Sequence, residues 1–140
     1  MKHQLKQFIQ RYIACFAEYD LTTLQRFYQL PCTLSTPDKL VLVASTNDFE
    51  EEFSQIFAQL KEAQTAAFSF NEISFTQVSD SMIILGGHWR FKNAAQEPFA
   101  EFFACYHLIK KNDKLTIVNV MSHQVENAIT FAEKLVLEQE

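Results

Sequence analysis

The stretch Pro98-Phe-Ala-Glu-Phe-Phe-Ala-Cys-Tyr-His-Leu-Ile-Lys110, a polar turn Lys111-Asn112-Asp113-Lys114, and Leu115-Thr-Ile-Val-Asn-Val-Met-Ser122 together read as two β-rich runs joined by hairpin chemistry. The first run is apolar on both alternating faces: Phe102, Ala104, Tyr106 and Leu108 on one, Phe103, Cys105 and Ile109 on the other. An antiparallel hairpin usually buries one face and wets the other, so this strand calls for cover on both sides. Helices supply one cover. A second subunit is the simplest source of the other.

At 140 residues the chain is long enough for one domain with a sizeable core, and 48% hydrophobic with 21% charged residues is an ordinary globular composition. Fourteen phenylalanines make packing gaps, and hence a cavity, a reasonable expectation. A net charge of −5 opposes nucleic-acid binding, and the densest basic cluster, Lys110, Lys111 and Lys114, belongs to the hairpin turn. Cys15, Cys32 and Cys105 form no Cys-x-x-Cys pair, which points to reduced thiols in a cytoplasmic protein rather than to disulfides or thiolate zinc. Polar interruptions at Gln4, Lys6, Gln7, Gln10 and Arg11 spoil a signal peptide, and no run is apolar enough for a membrane span.

Leu5, Phe8, Ile9, Tyr12, Ile13 and Phe16 mark one face of a first helix. Asp20 is a ready N-cap for a second, Leu21 to Tyr28, which Pro31 stops from extending. Two short strands flank Pro37-Asp38. The order Asn47-Asp48-Phe49-Glu50 reads as a capping box for a third helix carrying Phe49, Phe53, Ile56, Phe57 and Leu60. Long strands then follow at Ala66 to Val78 and Met82 to Lys92, ahead of the hairpin. Gly86 and Gly87, the only glycines, suggest a bulge inside a strand and leave no residue for a phosphate loop, dinucleotide fingerprint or nucleophile elbow. Val125, Ala128, Ile129, Ala132, Leu135 and Val136 predict a final helix. The expected organisation is a domain over residues 1–124 with a helical extension over 125–140.

This order of elements resembles the nuclear transport factor 2-like superfamily, including its SnoaL-like and ketosteroid isomerase-like members. The resemblance implies an α+β fold of the cystatin-like cone type, a curved antiparallel sheet wrapped around N-terminal helices, here with an extra C-terminal helix. Arg11-Tyr12-Ile13 followed by Asp20 and Tyr28 looks like the opening of the ketosteroid isomerases, in which the first-helix tyrosine is an oxyanion-hole donor. Tyr12 matches that tyrosine. The base position falls near Thr36 and the protonated-acid position near Phe102, neither of which exchanges a proton as a carboxyl does. Steroid-type isomerisation is therefore not expected.

His88-Trp89-Arg90 admits two orientations: strict alternation turns His88 outward, and a bulge at Gly86-Gly87 turns it inward, where related dehydratases place acid–base histidines. His107 and His123 share a face with Glu101 or His88 but lack metal-ligand spacing, so no metal site is expected. The leading expectation is a cone domain whose mostly aromatic pocket, lined by Tyr12, Phe16, Trp89, Phe102, Tyr106, Val120 and Ser122, binds a small apolar or aromatic molecule. Catalysis is left open; if present, it is cofactor-independent proton transfer of the dehydratase or isomerase type, with Tyr12 or His88 as donor. The alternative is a homodimeric protein-interaction module with a filled core and no ligand. Either reading places a homodimer interface on the outer sheet face, at Phe103, Cys105, His107, Ile117 and Met121.

Overall fold

The computed structural model describes residues 1–137 as three helices and one seven-stranded sheet. In chain order these are α1 (Lys2–Ala17), α2 (Leu21–Gln25), β1 (Tyr28–Ser35), β2 (Leu40–Val43), α3 (Thr46–Glu62), β3 (Thr65–Ser79), β4 (Met82–Asn93), β5 (Pro98–Lys111), β6 (Lys114–His123) and β7 (Glu133–Leu135), with a 3-10 turn at Val125–Asn127. The sheet is curved and unclosed, in the order β2-β1-β6-β5-β4-β3-β7. It is mixed rather than wholly antiparallel, because β1 runs parallel to β6. A parallel pair needs a long crossover, and β2, α3 and three strands supply it.

Helix α1 buries Leu5, Ile9, Tyr12, Cys15 and Phe16, and α3 buries Phe49, Phe53 and Phe57; both stripes join the inner sheet face in one core. Asp20 caps α2 by accepting the Thr23 N–H at 3.1 Å. That helix stops at Gln25, short of the expected Tyr28, where β6 takes over the backbone: the Ile117 N–H donates to the Phe27 carbonyl at 2.8 Å. The cap of α3 lies two residues before the expected box. Ser45 Oγ accepts the Asp48 N–H, and Asp48 Oδ2 accepts the Ala44 N–H.

The register of β4 on β5 is unbroken from Met82↔Ile109 to Phe91↔Ala100, straight through both glycines. The bulge belongs instead to β3, where Glu72 has a φ of 52° between the pairs Asn71↔His88 and Ser74↔Gly86. His88 therefore stays outward, and the inward orientation is ruled out. A second bulge, at Val118 in β6, sits between the pairs His107↔Asn119 and Leu108↔Ile117. It turns Ile117 into the core at 1% exposure, so Ile117 is not an outer-face contact residue as expected.

The glycines carry aromatic rings on opposite faces. A Cβ on Gly87 would meet the inward Phe70 ring at 2.5 to 2.8 Å, and one on Gly86 would collide with the outward Phe103 ring and approach Phe131 at 3.2 Å. Phe103 is 3% exposed; the His123 ring lies against it with centroids 5.0 Å apart, Phe131 stands with it over Gly86, and both belong to its own chain. Cover for that side chain needs no second subunit. This corrects the expectation drawn from the doubly apolar strand.

The expected C-terminal helix is also corrected. After the turn at Val125–Asn127 the chain crosses the outer face extended, and β7 pairs with the free edge of β3 through Ile73↔Leu135. Ser74 Oγ accepts the Phe131 N–H at 2.8 Å, Thr76 Oγ1 accepts that of Ala132 at 3.3 Å, and Leu135 enters the core. An available strand edge and two hydroxyl acceptors outweigh weak helix propensity in a run holding Val125, Ile129, Thr130 and Val136. The last three residues of that expected helix lie outside the described residues.

Because Phe70 rests on Gly87, Gly87→Ala is expected to destabilise the fold by about 1–3 kcal/mol through overpacking. Urea unfolding measures this, and an unchanged midpoint would show that the ring does not depend on the missing Cβ.

Candidate functional site

Between α1, α3 and the concave sheet face lies a cavity of about 170 Å³. Tyr12 and Phe16 reach it from α1, Trp89 from β4, Phe102 and Tyr106 from β5, and Val120 and Ser122 from β6. Tyr28 and Leu34 from β1, Phe53, Ile56 and Leu60 from α3, and Phe91 complete the wall. The strand residues converge here because the unbroken β4–β5 register aligns Trp89 with Phe102 and Leu85 with Tyr106 on the inner face. Apolar surface dominates. Only hydroxyls and one indole N–H interrupt it.

Those polar groups form two adjoining pairs. Trp89 Nε1–H donates to Tyr106 Oη at 2.8 Å, the Tyr12 and Tyr28 hydroxyls hydrogen-bond at 2.5 Å, and the Tyr106 and Tyr12 rings meet edge to face with centroids 5.7 Å apart. The indole can only donate, which fixes the polarity of the first pair. Four protons, one from Trp89 and three from tyrosines, serve two hydrogen bonds. Whichever way each hydroxyl turns, two phenolic protons are left over, that of Tyr106 and one from the Tyr12–Tyr28 pair, and among the described residues no further acceptor meets them. Burial, reinforced by the neighbouring phenols, holds Tyr12 well above the ordinary tyrosine range; burial does the same for Tyr28 and also raises Tyr106. The cluster is thus a set of neutral donors.

Tyr28 is the member that sequence reading assigned to a helix. The signal for it was the absence of any helix past Pro31 together with Tyr12's need for a buried partner. The fourth tyrosine, Tyr19, stands apart and donates to the Thr65 carbonyl at 3.0 Å. No carboxylate, imidazole, ammonium or guanidinium lines the cavity among the described residues. Thr36, at the position of a base, accepts the N–H groups of Asp38 and Lys39 in the β1–β2 turn.

His88 lies across the sheet from Tyr12. Its Nδ1 is 3.3 Å from Glu72 Oε2 and its Nε2 3.0 Å from Glu101 Oε1, a carboxylate that Arg90 also contacts at 3.1 and 3.2 Å. Arg90 holds the Glu101 carboxyl below its usual range, with a smaller contribution from His88. The two donors considered from sequence therefore do not share a site. On the same outer face Cys105 is buried, with its thiol pushed up by that burial; His107 is half-buried opposite Asn119; Met121 is 39% exposed.

A cone of helices and curved sheet around a hydroxyl-lined cavity defines a class of protein, the cystatin-like α+β cones. The chain belongs to the NTF2-like protein family DUF6841, whose model matches residues 3–125. No curated protein matches it. Among solved structures it is similar to an NTF-2 like protein of unknown function from Shewanella oneidensis MR-1, at 13% identity and a TM-score of 0.70, over 87% of this chain and 98% of that one. An NTF2-like protein with a cystatin-like fold from Novosphingobium aromaticivorans matches at 9% identity and a TM-score of 0.72, over 90% and 82%. A protein from Catenulispora acidiphila, in complex with S-DNPA, matches at 9% identity and a TM-score of 0.67, over 86% and 90%. Identities this low establish a shared fold. No helix among the described residues is long and apolar enough to cross a membrane.

Raised folded-state values for Tyr12, Tyr28 and Tyr106 mean that the unfolded chain releases these protons first as pH rises. The sign follows: this contribution to stability is intact below the unfolded tyrosine value of about 10 and declines above it. In an alkaline titration followed at 295 nm, these phenols are expected to ionise together with unfolding, seen by circular dichroism, and not before it.

Proposed function

We propose that the cone cavity binds a compact, neutral, apolar or aromatic molecule that carries one hydrogen-bond acceptor, such as a carbonyl oxygen. The observation that supports this reading is the surplus of phenolic protons in the Trp89–Tyr106 and Tyr12–Tyr28 pairs, buried donors for which a ligand acceptor is the natural partner. The size agrees: an apolar cavity of about 150 Å³ takes benzene, so about 170 Å³ suits one ring with a small substituent. A charged ligand is disfavoured by the lack of any countercharge on the wall. A small molecule bound to a similarly folded protein adds support. Aligned hydroxyls polarise a carbonyl, but with no carboxylate or imidazole on the wall they do not abstract a proton, so the proposal is binding.

The second part of the proposal is a homodimer through the outer sheet face. Pairing aligns Met121 of β6, Ser35 of β1 and Leu40 of β2 in one row, and Leu40, Leu42 and Met121 are 69%, 63% and 39% exposed. Cys105 and His107 adjoin this apolar patch, while Phe103 and Ile117 are withdrawn from it. The module reading shares this surface and differs only in the cavity.

Acetophenone and ethylbenzene, alike in shape and unlike in acceptor, test the cavity. Acetophenone is expected to bind about fivefold more tightly by calorimetry. Equal affinities in the parent protein, or no binding of either, would sink the reading and favour a filled core. For the interface, Met121→Glu is expected to shift a dimer toward monomer in sedimentation velocity. A monomeric parent protein, or a dimer indifferent to the change, would contradict it.

A further inference from the structure

A larger concavity lies outside the cone, where α1 and α2 meet the β5–β6 turn. This open groove has a volume of about 440 Å³, against about 170 Å³ for the cone cavity. Its floor includes Phe8 and Phe27, packed edge to face with centroids 5.1 Å apart, and both rings back onto Tyr12. Arg11 from α1, Arg26 at the C-cap of α2 and Lys114 from the turn line the same groove. Gln4 fastens the turn to α1 by donating to the Asp113 carbonyl at 2.8 Å.

The charge of this groove opposes that of the chain, which is −5 overall. Asp113 is its one acidic lining residue, and that carboxylate faces Lys110 at 3.7 Å. Asp20 feels the charge of Arg26 but is held on the Thr23 N–H. Among the described residues no carboxylate oxygen comes within 4.0 Å of Arg11, Arg26 or Lys114. Three cations without close counterions on an aromatic floor are not required by any packing in the fold. Guanidinium groups recognise planar carboxylates through paired N–H donors, and they stack on aromatic surface. The volume is that of a small-molecule site.

We propose that this groove binds a small aromatic carboxylate, its ring against Phe8 and Phe27 and its charge met by Arg11, Arg26 and Lys114. The site is separate from the cone cavity, whose wall bears no charge, and the proposal does not rest on the cavity's occupant. A bare phosphate satisfies the cations but leaves the aromatic floor without a partner. A neutral arene does the reverse. The combination selects a ligand with both parts.

The probe is 2-naphthoate, with neutral 2-naphthylmethanol as its counterpart, titrated into the full chain and followed by calorimetry and amide chemical shifts. The carboxylate is expected to bind, to weaken with added salt, and to move the amides of Gln4 to Arg11 and of Asp113 to Leu115. The double variant Arg11→Gln/Arg26→Gln alters two exposed side chains and leaves the core intact; it is expected to weaken 2-naphthoate about tenfold and leave acetophenone binding unchanged. Three results would each overturn the proposal: equal affinity for the alcohol, shifts centred on Trp89 and Tyr106 instead of the groove, or no groove shifts at millimolar probe. The acetophenone arm reads the cone cavity alone, so failure of one site is distinguishable from failure of the other.

Discussion

The structure depends on the unbroken pairing of β4 with β5. Because the register runs without interruption from Met82 to Phe91, alternation decides every side chain along it: Ile83, Leu85, Gly87 and Trp89 face the helices, and Ile84, Gly86, His88 and Arg90 face away. One inserted residue there would exchange the two sets. The chain places its insertions on the neighbouring strands instead, at Glu72 in β3 and Val118 in β6. The central ladder remains the reference from which both faces are built.

Aromatic packing follows from that choice. Gly87 accepts the Phe70 ring on the concave side, and Phe70 then lies 4.7 Å from Trp89 and 5.9 Å from Tyr106. Gly86 accepts Phe103 on the convex side, where Phe131 of the C-terminal strap joins it. Two adjacent glycines thus provide the close approaches that the two layers of rings require. Local packing becomes chemistry at Trp89, whose indole must find an acceptor when buried and finds Tyr106. Beside it the Tyr12 and Tyr28 hydroxyls bond to each other, so polar contacts tie β4 to β5 and α1 to β1 inside an apolar core. Such buried contacts favour one arrangement of their elements, and the phenolic protons they leave over are the donors of the cavity.

The convex face shows the same economy applied to cover. The strap from Val125 to Leu135 brings Phe131 to Gly86 beside Phe103 and occupies the β3 edge, while the β6–β1–β2 end keeps Met121, Leu40 and Leu42 in solvent. An edge strand left unpaired is a site for unwanted pairing, and β7 closes that on one side with three residues. The match to the family model runs to residue 125, so this closure lies beyond the matched residues.

By itself the sequence determined the helices, the long strands and their turns. Amphipathic spacing of Phe49, Phe53 and Phe57, alternation through Phe102, Ala104 and Tyr106, and the polar turn at Lys111 to Lys114 are local patterns that nothing distant overrode. Tyr12 and Tyr106 were legible as inward hydroxyls for the same reason. Tertiary structure alone decided the positions of the bulges, the orientation of His88, the burial of Ile117, the inclusion of Tyr28 in the site and the extended path of the C-terminal segment. Each depends on a partner remote in the chain: a bulge is a mismatch between two strands, and Tyr28 matters because Tyr12 is there. The run from Val125 to Val136 has helical spacing, but the Ser74 and Thr76 hydroxyls and the β3 edge offer its backbone better partners. Periodicity reports what a segment prefers alone; the fold selects what its neighbours can satisfy.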